Sequence, residues 1–213
     1  MAKIQSFLNS ALAEKNYNPV LALLAASAVL RKEKTLREIL VFLRANKFNK
    51  RKIYETLLQT YLFAGYPSAL ISLSVYSEYF KVDERWFEHW DIKKFKKRGE
   101  KNCRKIYGGK FEKLISNINS FSPEISDWLV TEGYGKVFGR KGLSLKEREV
   151  CNITVLSALR FESQLYSHIN GGHRTGLHRK EIEAVIDCLA FLDKNCMKFG
   201  KKVLHMFVQT KGL

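Results

Sequence analysis

Chain breakers are scarce in this sequence. Its 213 residues include three prolines and 13 glycines, too few for a turn-rich β fold, and no run of alternating apolar residues suggests strands. Long apolar runs are missing as well. The longest, Pro19 to Leu30, stops at Arg31-Lys32-Glu33-Lys34, short of the roughly 18 residues that a membrane span takes. The N-terminal stretch MAKIQSFLNSALAEK has no long apolar block followed by a small-residue cleavage site, so no secretory signal is read and the expected address is the cytoplasm. Cysteine is sparse and scattered: Cys103, Cys151, Cys188 and Cys196 form no C-x-x-C pair. That excludes the spacings of zinc ribbons and dithiol redox sites, and reads as four thiols packed as small hydrophobes. Acids are in deficit, 21 against 37 lysines and arginines, for a formal charge of +16.

With 46% hydrophobic and 12% aromatic residues, the chain can bury a core. The pattern predicts an all-α protein. Amphipathic or apolar helices are expected over residues 2 to 14, 19 to 30 and 50 to 63, and from Pro67 to about Phe80. Thr35 and Glu38 read as a capping box that opens a helix through Leu43. Asp83 to Arg98 reads as a helix with Trp86, Phe87 and Trp90 on one side, and Ser122-Pro123-Glu124 as the start of another. Shifting the sequence by 129 places Leu159-Arg160 on Leu30-Arg31, Leu165 on Leu36 and Ile182 on Ile53, which predicts two related helical-hairpin halves. The expectation is a single unit over 1–213, with halves at about 17–80 and 122–213 joined by a basic connector at 81–121.

Nine lysines and arginines against one acid, Glu100, lie between Lys93 and Lys110. Such a stretch can follow phosphates. No recognised nucleic-acid motif accompanies it, so the plainer reading is a solvated linker helix, with nucleic acid kept as an alternative partner.

The stretch from Ser144 to Glu181 is the richest in chemistry. Ser144 and Glu147 form a capping box, and Val150, Ile153, Leu156 and Leu159 recur at helical spacing. After a polar break at Arg160 to Ser163, a second helix folds back. Arg148, Glu149 and His168 stand inside this core-building hairpin. A carboxylate beside an imidazole makes a proton-transfer unit. For strictly antiparallel helices, however, the two residues differ in level by roughly 7 to 8 Å at about 1.5 Å per residue. By spacing alone, the plainer reading is a surface charge pair and a core histidine. His168, His173 and His178 are five apart rather than four, so no metal site is expected. Tyr134, Phe138 and Trp128 read as either pocket wall or aromatic core.

The run GYGKVFGRKGLSLKEREVCNITVLSALRFESQLYSHINGGHRTGLHRKEIEAVI resembles the carboxymuconolactone decarboxylase family, which includes the AhpD-type alkylhydroperoxidases. The likeness rests on Arg140 ahead of Gly142-Leu143, on Leu145-x-x-Arg148-Glu149, on Gln164-Leu165-x-x-His168, and on Gly176-Leu177 before Glu181-Ile182. Residues 53 to 70 and 98 to 114 are similar to the corresponding first helices and connector of tandem members, so the likeness covers about residues 20 to 205. It implies an AhpD-like all-α fold in a homo-oligomer, a trimer or hexamer, without a cofactor. It also implies proton transfer on a small lactone or organic acid by His168, with Glu149 orienting it. Arg148, Arg140 and Tyr134 would bind the substrate. The dithiol positions of the hydroperoxidase branch fall on Phe161 and Gln164, so dithiol peroxidase activity is not expected. Two other readings stay open: a peroxidase-related protein lacking the dithiol, and an inactive helical scaffold with the Glu149–His168 region packed shut.

Overall fold

Two helices that are buried on every side set the architecture of the protein, seen here in a computed structural model that describes residues 2–212. Met1 and Leu213, the ends of the expected single unit, lie outside the described residues. The helices are α1 (Ala2–Ala13), α2 (Asn18–Val29), α3 (Glu33–Ala45), α4 (Lys50–Gln59), α5 (Tyr61–Ser77), α6 (Ile92–Tyr107), α7 (Phe111–Asn119) and α8 (Pro123–Trp128). A π-helix follows (Leu129–Val137), then α9 (Leu145–Leu159), α10 (Glu162–Arg174), α11 (Arg179–Asp187) and α12 (Lys194–Lys211). Among the described residues there is no strand, and no helix is long and apolar enough to cross a membrane. The fold is all-α.

Helices α2 and α9 are the buried pair, and they pack directly on each other. Helix α2 is apolar all round, as a fully enclosed helix must be. Helix α9 is equally enclosed from Arg148 to Ala158, although it carries polar groups. A shift of 129 residues superposes the element order around them. Glu33–Ala45 falls on Glu162–Arg174 residue for residue, and the starts of α4 and α11 coincide. The backbone specials coincide too. Arg31 (φ 56°) and Arg160 (φ 61°) end the central helices in left-handed geometry, and Lys47 (φ 52°) matches Gly176 (φ 96°). A left-handed arginine is uncommon, so its appearance at equivalent positions marks one turn used twice.

Three boundaries differ from the sequence reading. Helix α3 begins at Glu33, so Thr35 lies inside its first turn and no side chain caps it. The expected helix from Asp83 to Arg98 is a short 3-10 turn at Glu84–Trp86 and a later helix that starts at Ile92, capped by the Asp91 side chain on the Lys94 N–H. The cause is local: Asp91 is the better N-cap, and Trp86 is buried while Phe87 and Trp90 are exposed. The helix expected from Lys50 to Phe63 breaks at Thr60, and Gly65 (φ 73°, ψ 172°) makes the sharp turn ahead of Pro67.

Residues 92 to 138 build a second, smaller core, where Cys103, Ile106, Phe111, Val130, Tyr134 and Phe138 meet. Helix α6 buries Phe95, Gly99, Cys103 and Ile106 against the π-helix. Its outer side carries Lys93, Lys97, Lys101 and Lys105, all exposed and four residues apart. Two glycines allow the crossing. A Cβ at Gly99 would stand 2.0 Å from the Val130 carbonyl oxygen, and one at Gly135 2.1 Å from that of Phe95.

Candidate active site

Glu149 lies one turn into α9, behind the Ser144–Glu147 capping box, both halves of which form. His168 lies in α10, beyond the Arg160 turn. The two meet directly: His168 Nδ1 is 2.7 Å from Glu149 Oε2, with Glu149 fully buried. The level difference expected for strictly antiparallel rods therefore does not separate them, and no bridging group is needed. Gly171 keeps the hairpin tight, since a Cβ there would press on Ile106 at 2.8 Å and approach Glu149 Oε1 at 3.2 Å.

A chain of hydrogen bonds orients the amides behind the ring. Arg148 can only donate, and its Nη1 donates to Gln59 Oε1 at 2.9 Å. Gln59 Nε2 therefore faces the other way, donating to the Arg148 carbonyl at 2.9 Å and to Asn152 Oδ1 at 2.7 Å. That fixes the Asn152 amide nitrogen against His168 Nδ1, at 3.2 Å. The two contacts make opposite demands on Nδ1, since the Asn152 amide donates to it and a carboxylate accepts from it; the shorter contact, to Glu149, favours the hydrogen on Nδ1 and leaves that Asn152 N–H unpaired at the ring. In the neutral ring, Nε2 is then the free base. Glu149 Oε1 accepts no hydrogen bond among the described residues. Phe63 packs edge-on against the imidazole, with ring centroids 5.5 Å apart.

His168 forms part of the wall of a cavity of about 790 Å³. Leu62, Phe63, Leu114, Ile118, Leu129 and Phe138 make most of its apolar surface, and Phe121, Ile125 and Trp128 stand exposed at its rim. Its polar groups include Ser163, Gln164, Ser167 and Glu132, which accepts from Tyr61 Oη at 2.8 Å. Tyr107, from the end of α6, and Tyr134, from the π-helix, join it with their hydroxyls hydrogen-bonded to each other. Burial pushes both phenols up, with the nearby Glu149 charge adding to it, so both stay protonated. A π-helical segment often marks a functional site, and here it carries Tyr134.

Arg148 and Arg140 are placed elsewhere. Both are held by Glu55 of α4: Arg148 Nη2 donates to Oε2 at 3.1 Å, and Arg140 Nε and Nη2 donate at 3.0 Å. Arg148 is fully buried, and neither arginine lines the cavity. Burial pulls the Arg148 guanidinium below its ordinary value while Glu55 opposes the shift. With Glu55 the two arginines form an ion network that ties α4 to α9. All four cysteines are reduced and buried. Burial pushes the Cys103, Cys151 and Cys188 thiols up to about 12, so none is a ready thiolate. Phe161 and Gln164 stand at the start of α10 where the dithiol was sought.

Glu55, Gln59, Asn152 and Tyr107 escaped the sequence reading. A signal existed for three of them. Glu55 and Gln59 are four apart on one side of α4, and Asn152 follows Glu149 by three on an otherwise apolar helix. Nothing in the spacing pointed to Tyr107.

Residues 123–196 match the sequence model of the carboxymuconolactone decarboxylase family. The chain is also similar to the 4-carboxymuconolactone decarboxylase of Acinetobacter baylyi (strain ATCC 33305 / BD413 / ADP1). The two are 28% identical over 72 residues, which is 34% of this chain and 54% of the relative. The chain thus spans about half the length of the curated relative it matches. The N-terminal half and the connector lie outside the family match, whereas Glu149, Asn152 and His168 lie within it.

Proposed function

We propose that this protein is a cofactor-free enzyme that moves a proton on a small lactone or a related carbonyl compound. The observation that carries this reading is an open cavity with His168 on its wall, the ring backed by a buried carboxylate. His168 Nε2 takes a proton from carbon next to a carbonyl, or returns one, while Glu149 holds the ring orientation and its transient charge. The organic-acid half of the expectation has less support, because Arg148 and Arg140 are engaged by Glu55. An inactive scaffold is disfavoured by the same cavity, since a site that had lost its chemistry was expected to be packed shut. A homo-oligomer, trimer or hexamer, belongs to the proposal, supported by the exposed Tyr66, Leu70, Phe121 and Trp128. Light scattering that finds only monomer removes that part.

The test is turnover and α-hydrogen exchange in deuterated water, followed by NMR over a panel of lactones and ketones. His168→Ala is expected to lower the rate by about 10²- to 10⁴-fold. Glu149→Gln should lower it less and move its pH profile. Rates equal to wild type in both variants would sink the assignment.

A further inference from the structure

The cavity around His168 holds no cation. Among the described residues that line it there is neither lysine nor arginine, and Glu132 is the one carboxylate in its wall. Lys136 is bound to that glutamate at 3.3 Å, and its ammonium lies over the rings of Tyr61 and Trp90. A carboxylated ligand would therefore enter a mainly apolar chamber, face Glu132 and have the Glu149 charge behind His168. Burying an unpaired anion there is unfavourable. The volume, about 790 Å³, lies in the range of roughly 300–1,000 Å³ typical of sites for ring-bearing small molecules.

The two tyrosines supply what a carbonyl oxygen needs. Two hydroxyls bonded to each other use one hydrogen between them; Ser167, also in the wall, is within hydrogen-bond reach of Tyr107, so a ligand oxygen competes only with that hydroxyl for the second hydrogen. Tyr134 is buried and Tyr107 partly so, both are protonated, and both stand on the wall that His168 shares. We propose that this cavity selects an uncharged, largely apolar, enolisable carbonyl compound, whose oxygen is held by the Tyr107–Tyr134 hydroxyl pair and not by a cation. This rests on the proton-transfer reading above. The α C–H bond breaks, its proton goes to His168 Nε2, and its electron pair moves onto the carbonyl oxygen, where the second tyrosine hydrogen stabilises the enolate. Return of the proton from Nε2 completes the cycle with no other reactant.

The experiment compares three probes on the full chain by titration calorimetry: 2-tetralone, its ring carboxylate, and tetralin, which lacks the oxygen. The ketone is expected to bind roughly tenfold or more tightly than the carboxylate, and a few-fold more tightly than tetralin. The double variant Tyr107→Phe/Tyr134→Phe should bring the ketone down to tetralin's affinity while tetralin itself is unaffected. That readout also shows that the variant is folded. Equal or tighter binding of the carboxylate overturns the proposal. So does a ketone preference that survives loss of both hydroxyls, or no binding of the ketone at all. Hydrogen exchange on bound 2-tetralone, read separately by NMR, keeps the two readings apart. Selective binding without exchange upholds the ligand class and removes the catalytic role of His168. Exchange with the carboxylate preferred does the reverse.

Discussion

The two central helices are built alike and equipped differently. Under the 129-residue shift, Glu149, Asn152 and His168 of the C-terminal half fall on Val20, Leu23 and Ile39, which are wholly buried in the N-terminal half. The apolar version shows what this hairpin needs in order to fold, and the polar version shows what has been added. The exchange also runs the other way. Glu55 and Gln59 on α4 reach across to α9, while their counterparts are Ala184 on α11 and Cys188 just past its end. One half supplies the Glu149–His168 pair; the other supplies the polar clamp that packs behind it.

The strongest way to break this division is to remove the clamp. Glu55→Ala strands the fully buried Arg148 without a counter-charge. It is expected to lower stability by about 3–5 kcal/mol, measured as the midpoint of urea unfolding. Next comes copying one half onto the other. The triple variant Glu149→Val/Asn152→Leu/His168→Ile reproduces the apolar version, and it should leave stability unchanged or raise it by up to about 4 kcal/mol while abolishing turnover. A large loss of stability would mean that the polar group is structural.

The helix starts differ as well, and pH exposes the difference. Helix α2 begins without a side-chain cap, whereas α9 has the Ser144–Glu147 box. Burial alone would raise the Glu147 carboxyl, but the Lys52 ammonium and Ser144 outweigh it and hold it below the ordinary value. A depressed carboxylate adds stability above its unfolded value of about 4.3, and that stability is lost as pH falls through the lower folded value. Glu147→Gln should therefore be less stable than wild type at pH 7, with the gap closing below about pH 4. A gap that is constant with pH contradicts the assignment. The smallest expected effect is at the second turn, where Lys47 does what Gly176 does more cheaply. Lys47→Gly should stabilise by roughly 0.5–1 kcal/mol in thermal melts.

Much of this was legible in the sequence because helical period and breaks are local signals. The capping box at Ser144, the break after Leu159 and the glycine stop before Leu177 need only a few neighbouring residues to be read. The 129-residue shift worked for the same reason, since repeated breaks survive where identities do not. The site itself was only half visible. Glu149 and His168 stood out through the family resemblance, but their 2.7 Å contact depends on how α9 and α10 pack. The arginines misled because charge in a sequence carries no record of its partner. Arg148 and Arg140 read as ligands for a substrate, yet Glu55, more than eighty residues away in the chain, satisfies both. The π-helix had no local signature beyond its two glycines, so Tyr107 and Tyr134 could not be paired in advance.

The crossing of α6 and the π-helix gives the connector a part in setting the chamber's width. Backbone there touches backbone, so Gly99 and Gly135 act as a hinge pin with no slack. One methyl at either position would work as a wedge, prying Tyr107 away from Tyr134 without touching His168. The gauge of the chamber could thus be reset from a stretch that, in sequence, looked like a charged spacer.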